Sequence, residues 1–585
     1  MSEWVPAGSS RLSPEALKEG KATSVRHQEN LLTPLKDQVE VLEAEKQASV
    51  QGNGKIFSRI FFRPNLNPRH FLCLLVFFLA VAVRLVHNAA MMSSPLYFVP
   101  LGWHRVFLDT ALQIFQGDLF PGDRPFTENS PLLPYLFAFQ HLLFGGENLF
   151  FMRLVGLTVD SVTAALLVVL GIRFFALLPG FLAGLLYALY APAVFYAVEL
   201  IYIPYTLFFL VAAVLLLTVE TRRAGAAAGC LLGFATLTMP TVFVIALLCC
   251  TAPLVTKGSN FRIRALSAVV TLFLAISPVT LLNYFRTGSF VLLTTTAGTN
   301  FYIGHNPFAQ AGYVLPDVIG PVQFVGRGSI FDKMKQVAEE VERRTFRDTE
   351  VSPYYFRKAL GYIMNHPWAE LKLALLRLAA LLNSYEATTY ADYYYQREVS
   401  PVLRSLVPFE FLLVFAVIGL FGASVRKVYL LLIPLAGTVI VVLLFFYLSR
   451  LRMPMIPFLC VFAGCGAALL SSFLKEREWA KVFALLSIFT ATFFFARIPW
   501  VSHSSSNEWN KVGIVLLWQE KLEEANKAFE RARQENPQDP NTYFNLARLA
   551  EKRSQLALAA ALREQARALL TSGSREYYKA LRSQQ

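Results

Sequence analysis

Three stretches of this chain place chemically capable side chains next to apolar sequence. Between residues 104 and 129 lie His104, Asp109, Asp118, Asp123, Arg124, Glu128 and Asn129. A carboxylate held at an apolar boundary can take the proton of a hydroxyl or amine while a leaving phosphate stays among lipid headgroups, and Asp109 and Glu128 are the candidates for that base. His104 stands beside them as a substrate-binding candidate. Asp118 and Asp123 sit in G-D-L and G-D-R and have a competing reading as turn formers; for Asp109 it is a solvated helix face. In SRLRMPMIP, Arg450 and Arg452 precede an apolar run, where a guanidinium can grip a phosphate in bidentate fashion while its stem lies on apolar surface. Snorkelling to orient a span is the plainer role for the same pair. In TTTAGTNFYIGHNPFAQAGY, Asn300, Tyr302, His305 and Asn306 form a polar, aromatic turn suited to sugar hydroxyls or a pyrophosphate. His305 gives little support for a metal, because no H-x-x-x-H spacing occurs among only eight histidines.

The elements that must position these groups are apolar. Hydrophobic residues make up 55% of the 585 and charged residues 16%, with 50 phenylalanines and 23 tyrosines. From Arg69 to Pro499 the chain runs through successive apolar segments, broken by polar loops at 91–130 and about 285–400, so lipid is the expected solvent. The net charge is +14, and much of the Lys and Arg lies in the first 69 residues and in short links between spans. That distribution sets topology and argues against nucleic acid as a partner. The six cysteines fall in apolar segments and imply neither zinc nor a disulfide framework.

Arg59, Arg63 and Arg69 before the first span place residues 1–69 in the cytoplasm as a flexible segment, and deliver loop 91–130 to the outside. Further spans are expected at 152–171, 180–199, 204–220, 226–239, 241–255, 265–284, 403–422, 428–447, 454–472 and 480–498. This parity needs 131–145 to be a short or re-entrant piece. The segments 226–239 and 241–255 share Pro240 and could instead form one kinked helix. The stretch HPWAELKLALLRLAALLNSYE reads as an interfacial helix or as one more span, which would reverse the side of everything after it. Asp160 is the conspicuous charge inside a span, with Ser161, Thr163 or another helix as expected partners.

Residues 506–571 are water-soluble helical sequence with a 34-residue period. Gly513, Ala525, Ala532 and Pro537 recur as Ala547, Ala559, Ala566 and Thr571, the small-residue pattern of tetratricopeptide (TPR) hairpins. Two repeats rarely stand alone, so they are expected to dock on the membrane domain or on a protein partner. Residues 572–585 form a tail.

The order of a first span, a loop helix ending in A-L-Q-I-F-Q-G-D, PFTENSPLLPYLFAFQHLLFG, N-F-Y-I-G-H-N-P, S-R-L-R-M-P-M-I-P and trailing repeats resembles bacterial glycosyltransferases of the GT-C fold, family 39 (protein-mannosyltransferase-like), over about 70–500. The resemblance implies an all-α integral membrane protein: a GT-C-like bundle of about 11–12 helices with an extracytoplasmic TPR hairpin domain, in the bacterial cytoplasmic (inner) membrane. It implies a sugar donor linked to polyprenyl phosphate, inversion at the anomeric carbon, and an acidic loop residue as base, sometimes assisted by a divalent cation. The family's loop aspartate aligns with about Trp103, and an indole cannot remove a proton. Asp109 or Glu128 has then taken over, or catalysis is lost. Glu199, at an outer span end, is a further candidate for steering the acceptor or holding a cation.

Three functions follow as expectations. The first is sugar transfer from a polyprenyl-phosphate donor. The second is a catalytically silent subunit or scaffold that binds lipid-linked glycans, or protein partners through its repeats. The third is a transporter, which would need more intramembrane charge than Asp160.

Overall fold

The computed structural model describes residues 67–122, 130–256, 260–314, 330–500 and 504–583, so the notional base Glu128 lies outside the described residues. Among the described residues the chain is all-helical, with two isolated bridges, Tyr190 with Val407 and Gly312 with Tyr447. Six helices are long and apolar enough to cross a membrane, which makes this a multi-pass membrane protein: Pro68–Met91, Leu149–Phe174, Phe261–Thr287, Lys427–Leu444, Ser449–Lys475 and Trp479–Arg497.

In chain order, α1 (Pro68–Met91) starts on the Asn67 side chain and leads to a juxtamembrane pair, α2 (Trp103–Phe115) and α3 (Leu133–Phe144). At 12 residues α3 spans about 18 Å, too short to cross a bilayer. Next come α4 (Leu149–Phe174), α5 (Leu177–Ala188), α6 (Ala191–Val198), α7 (Ile203–Leu217), α8 (Arg222–Thr238), α9 (Phe243–Thr251) and α10 (Phe261–Thr287). Pro240 opens a 3₁₀ turn that separates α8 from α9. The loop region supplies α11 (Ala297–Gly304), α12 (Ile330–Glu342), α13 (Asp348–Asn365), α14 (Pro367–Leu381) and α15 (Tyr393–Val399). The bundle closes with α16 (Phe409–Phe421), α17 (Val425–Leu444), α18 (Ile456–Lys475) and α19 (Trp479–Arg497), and two helical hairpins follow: α20 (Ser506–Trp518), α21 (Leu522–Glu535), α22 (Pro540–Lys552) and α23 (Leu556–Ser583).

Hydrogen bonds fix which helix ends lie together. Leu132 donates to the Leu237 carbonyl, Arg286 to that of Phe120, and Ser384 to that of Ala496, so the ends of α8, α10 and α19 gather with the 91–122 loop at what we call the loop end. At the far end, Arg173 reaches the carbonyl of Thr218 and Arg264 that of Leu217. The hairpins α20–α23 sit at the loop end, where Trp509 meets Tyr395 and Tyr395 bonds Ser94 at 2.9 Å. Small residues bring the middle of the bundle close: a Cβ on Gly464 of α18 would fall 2.3 Å from the Pro179 carbonyl of α5. In the first hairpin Gly513 presses on the Phe529 ring, and the repeated alanines at 525, 532, 547, 559 and 566 are buried.

One sequence expectation changes here, and for Asp160 the expected partner on another helix is the one found. Residues 180–199 are not one span: the helix α5 ends at Ala188, the neighbours of Tyr190 bond Val407, α6 starts at Ala191, and the chain then bends by 118° between α6 and α7. Asp160 is held neither by Ser161 nor by Thr163, whose hydroxyls bond their own helix. It accepts from Arg84 of α1 (Nε, 2.8 Å) and from the Tyr187 hydroxyl of α5 (2.6 Å), all three fully or almost fully buried. A charge so tied is a three-helix joint, not a transport relay.

Removing one member of a buried ion pair strands the other at a cost of about 3–5 kcal/mol. Asp160→Leu and Arg84→Met should each sharply lower thermal stability in detergent, and the double variant should be less damaged than either single. Additive losses would show that the pair does not act as a unit.

Candidate functional site at the loop end

The bend between α6 and α7 leaves backbone groups without helical partners, which an apolar bundle tolerates only where that backbone is enclosed by protein or lines a cavity. Leu200, Ile201 and Tyr202 are enclosed, and Glu199 just before them borders two cavities. The larger, about 40 Å³, lies among Tyr97, His104, Arg153, Glu199, Tyr390 and Gln396, with Glu508 and Lys511 from α20. The smaller, about 10 Å³, lies among Tyr196, Glu199, Thr388, Tyr390 and Arg450. They share Glu199, Tyr390 and Ala391, so the Tyr390 segment forms a partition between two water-sized spaces.

Glu199 is the charge at the centre. One carboxylate oxygen lies 2.9 Å from His104 Nε2, and the other accepts from the Gln396 side-chain amide. Arg153, at the start of α4, stacks its guanidinium 4.0 Å from the Tyr97 ring and lines the same cavity. Tyr390 is the aromatic hub: Arg450 lies 4.3 Å from its ring centre, and His104, Tyr202 and Trp103 pack around it at 6.2–6.4 Å. Arg450 has one guanidinium nitrogen, Nη1, buried without a hydrogen-bond partner, and no carboxylate among the described residues pairs with it. Burial pushes the Glu508 carboxyl above the ordinary carboxylate range; Lys511 opposes the shift, and Asp392 and Glu199 add to it.

The structure thus brings together His104, Glu199 and Arg450 from the sequence candidates and sets the others apart. Asp109 is half exposed on α2 and bound by Arg105, with Nε 2.8 Å from Oδ1. Arg452 has no exposure: it holds Glu386, donates to the carbonyls of Asn383 and Leu381, and lies 3.7 Å from the Phe409 ring. Its Nη1 and Nη2 are taken up by these fold contacts. Tyr302 is core against Tyr355, and Asn306 bonds the carbonyls of its own turn and accepts from Phe308 N. His305 is enclosed between Glu370 (2.7 Å) and the Leu444 carbonyl (3.1 Å), while Asn300 lies within α11. Among the described residues no three His, Cys, Asp or Glu side chains converge to hold the divalent cation that the resemblance allows.

Sequence reasoning missed Arg153, Tyr390, Gln396, Glu508 and Lys511. Arg153 carried a usable signal: like Arg450, it is a basic residue at the end of a span where such residues are depleted. Tyr390 lies in the aromatic run YADYYYQ, but nothing in the sequence marks its partners, and Lys511 reads as an ordinary hairpin residue.

No family model matches this chain, and neither does any curated protein. Solved structures of the oligosaccharyltransferase of Archaeoglobus fulgidus do match. The form tethered to an acceptor peptide containing the NVT sequon is 14% identical with a TM-score of 0.40, covering 78% of this chain and 58% of that one. The apo form gives 12%, 0.41, 76% and 57%. The archaeal complex with an inhibitory peptide and a dolichol-phosphate gives 10%, 0.35, 76% and 57%. The chain spans less than two thirds of the length of these proteins. A likeness this loose carries neither residues nor a reaction across.

The two neighbouring arginines should separate in their effects. Arg452→Met strands buried Glu386 and should abolish or severely reduce the monodisperse peak of detergent-extracted protein, by the same cost of about 3–5 kcal/mol. Arg450→Met, which strands no carboxylate, should leave elution and thermal midpoint close to wild type. Equal damage from both would make Arg450 a fold residue as well.

Proposed function

We propose that this chain is a GT-C-type membrane glycosyltransferase that moves a sugar from a polyprenyl-phosphate donor to an acceptor at the loop end. By positive-inside counting this end faces away from the cytoplasm, and the envelope implied by the resemblance is a bacterial cytoplasmic membrane. The observation that carries the reading is one place where the carboxylate Glu199, in contact with His104, shares a cavity wall with a half-buried guanidinium, Arg450, whose Nη1 is buried without a hydrogen-bond partner and which no carboxylate among the described residues pairs with. A guanidinium nitrogen shielded from water is ordinarily paired, so one left unmet beside a cavity suits an anionic ligand.

In this scheme Glu199 accepts the proton of the acceptor hydroxyl or amine as that atom bonds to the anomeric carbon. The bond from that carbon to the donor phosphate oxygen breaks, and the electron pair leaves with polyprenyl phosphate, whose charge Arg450 stabilises. His104 and Gln396 orient the carboxylate. The cavities as they stand are water-sized and too small for a sugar, so donor entry joins them by displacing the Tyr390 partition. Asp109 and Glu128 remain the alternative bases on the loop, and Asp109 would first have to leave Arg105. The trailing hairpins fit TPR repeats, whose outer face is the place for a protein partner.

A catalytically silent GT-C-like scaffold is the competing reading. It draws on Trp103, which occupies the family's aspartate position and packs between Phe107 and Tyr390.

The test is transfer of radiolabelled sugar from a panel of polyprenyl-phosphate sugars by the purified full chain in lipid nanodiscs. Glu199→Gln should cost about 10²–10⁴-fold in turnover with folding intact, and Arg450→Met should weaken donor use comparably. Transfer lost in D109A or E128A but kept in E199Q would move the base to the loop. Absence of turnover with every donor, alongside retained binding of the lipid-linked sugar, would establish the scaffold.

A further inference from the structure

The segment 388–396 carries both groups on which the cavities turn. Tyr390 supports Arg450, and Gln396 bonds Glu199. From the bundle side this segment is held by aromatic packing, with Tyr390 against Tyr202 and Tyr393 against Phe195. From the other side it is held by the C-terminal hairpins through charged and polar bonds. Lys511 of α20, itself buried, donates to the Tyr390 carbonyl at 2.9 Å and to Glu508 at 2.7 Å. Ser505 donates to Asp392 Oδ1 at 3.0 Å, the same oxygen that caps α15 by accepting from Tyr395 N. Trp509 meets the Tyr395 ring edge-on at 5.2 Å, and Arg531 of α21 covers the other partner of that contact while pairing with Glu398 at 2.8 Å.

We propose that the repeat domain is a positioning element of the site: Lys511 fixes the Tyr390 partition, and through it Arg450 and Glu199, so that the hairpins complete the site and do not merely hang beside it. The mechanism is geometric. An ammonium bound to a main-chain carbonyl restrains that peptide more firmly than a neutral donor does. Glu508 holds the ammonium in place and balances its charge. Anything that shifts α20, including a partner bound to the hairpins, shifts the partition. The effect on turnover rests on the function proposed above; the effect on the segment does not.

The experiment uses the full chain in nanodiscs and two independent readouts. Backbone hydrogen exchange over 388–396 should quicken by about 10-fold or more in Lys511→Met, with little change in α4 or α18, and Lys511→Arg should restore much of the protection. If Lys511→Met folds poorly, the milder Ser505→Ala, which removes the bond to Asp392, should loosen the start of α15 in the same direction. Unchanged exchange over 388–396 in a folded Lys511→Met protein overturns the proposal. For transfer, Lys511→Met should lower kcat more than it raises donor KM, because the groups are present but misplaced, and Lys511→Arg should recover part of kcat. Faster exchange together with an inert Glu199→Gln substitution would keep the clamp and reject the site; slow exchange together with a damaging Glu199→Gln would do the reverse.

Discussion

A charge taken out of water into an apolar bundle must be met by an opposite charge or by several hydrogen bonds, or it costs several kcal/mol. This chain buries guanidinium groups repeatedly, and the way each is met sorts structure from site. Arg84 has Asp160 and the Ala80 and Ala188 carbonyls, and ties α1 to α4 and α5. Arg452 has Glu386 and two carbonyls, and ties the start of the α18 span to the chain after α14. Arg377 bonds the carbonyls of Gly304 and Leu443, joining α14 to α11 and α17. Arg450, half-buried, departs from the pattern in lying over the Tyr390 ring with no carboxylate among the described residues paired to it. Those three joints supply the fixed frame in which the fourth stands out.

The same constraint explains the placement of the irregular backbone. The interruptions at Tyr190 and at Glu199–Tyr202 fall where the surrounding chain encloses them, with Val407 satisfying the first and the cavities bordering the second. A straight span through this region would have buried its groups in its own helix and left no opening. The break is therefore what gives a carboxylate a polar enclosure within an otherwise apolar framework.

Hydropathy made the long spans readable: the ends expected at 265–284 and 480–498 fall within a few residues of Phe261–Thr287 and Trp479–Arg497. It failed at 180–199, because a mean over a window is blind to Pro192 and to a bridge with Val407, more than 200 residues away. His104 and Glu199 were each legible by type and by position at the end of an apolar run. Their contact was not, since it depends on the turn at Glu199 and on the angle of α2. Arg450 and Arg452 are indistinguishable in sequence, two residues apart in one motif. Only Glu386, contributed from a distant segment, separates them.

The conventional cut between a membrane portion and a soluble tail would fall near residue 500. The polar seam formed by Ser505, Lys511 and Arg531 against Asp392, the Tyr390 carbonyl and Glu398 crosses that cut. The two parts are consequently not interchangeable cassettes. A recombined gene that exchanged the hairpins for those of another protein would have to bring a matching lysine, serine and arginine with them, so inheritance should keep the two halves together even where their sequences drift at different rates.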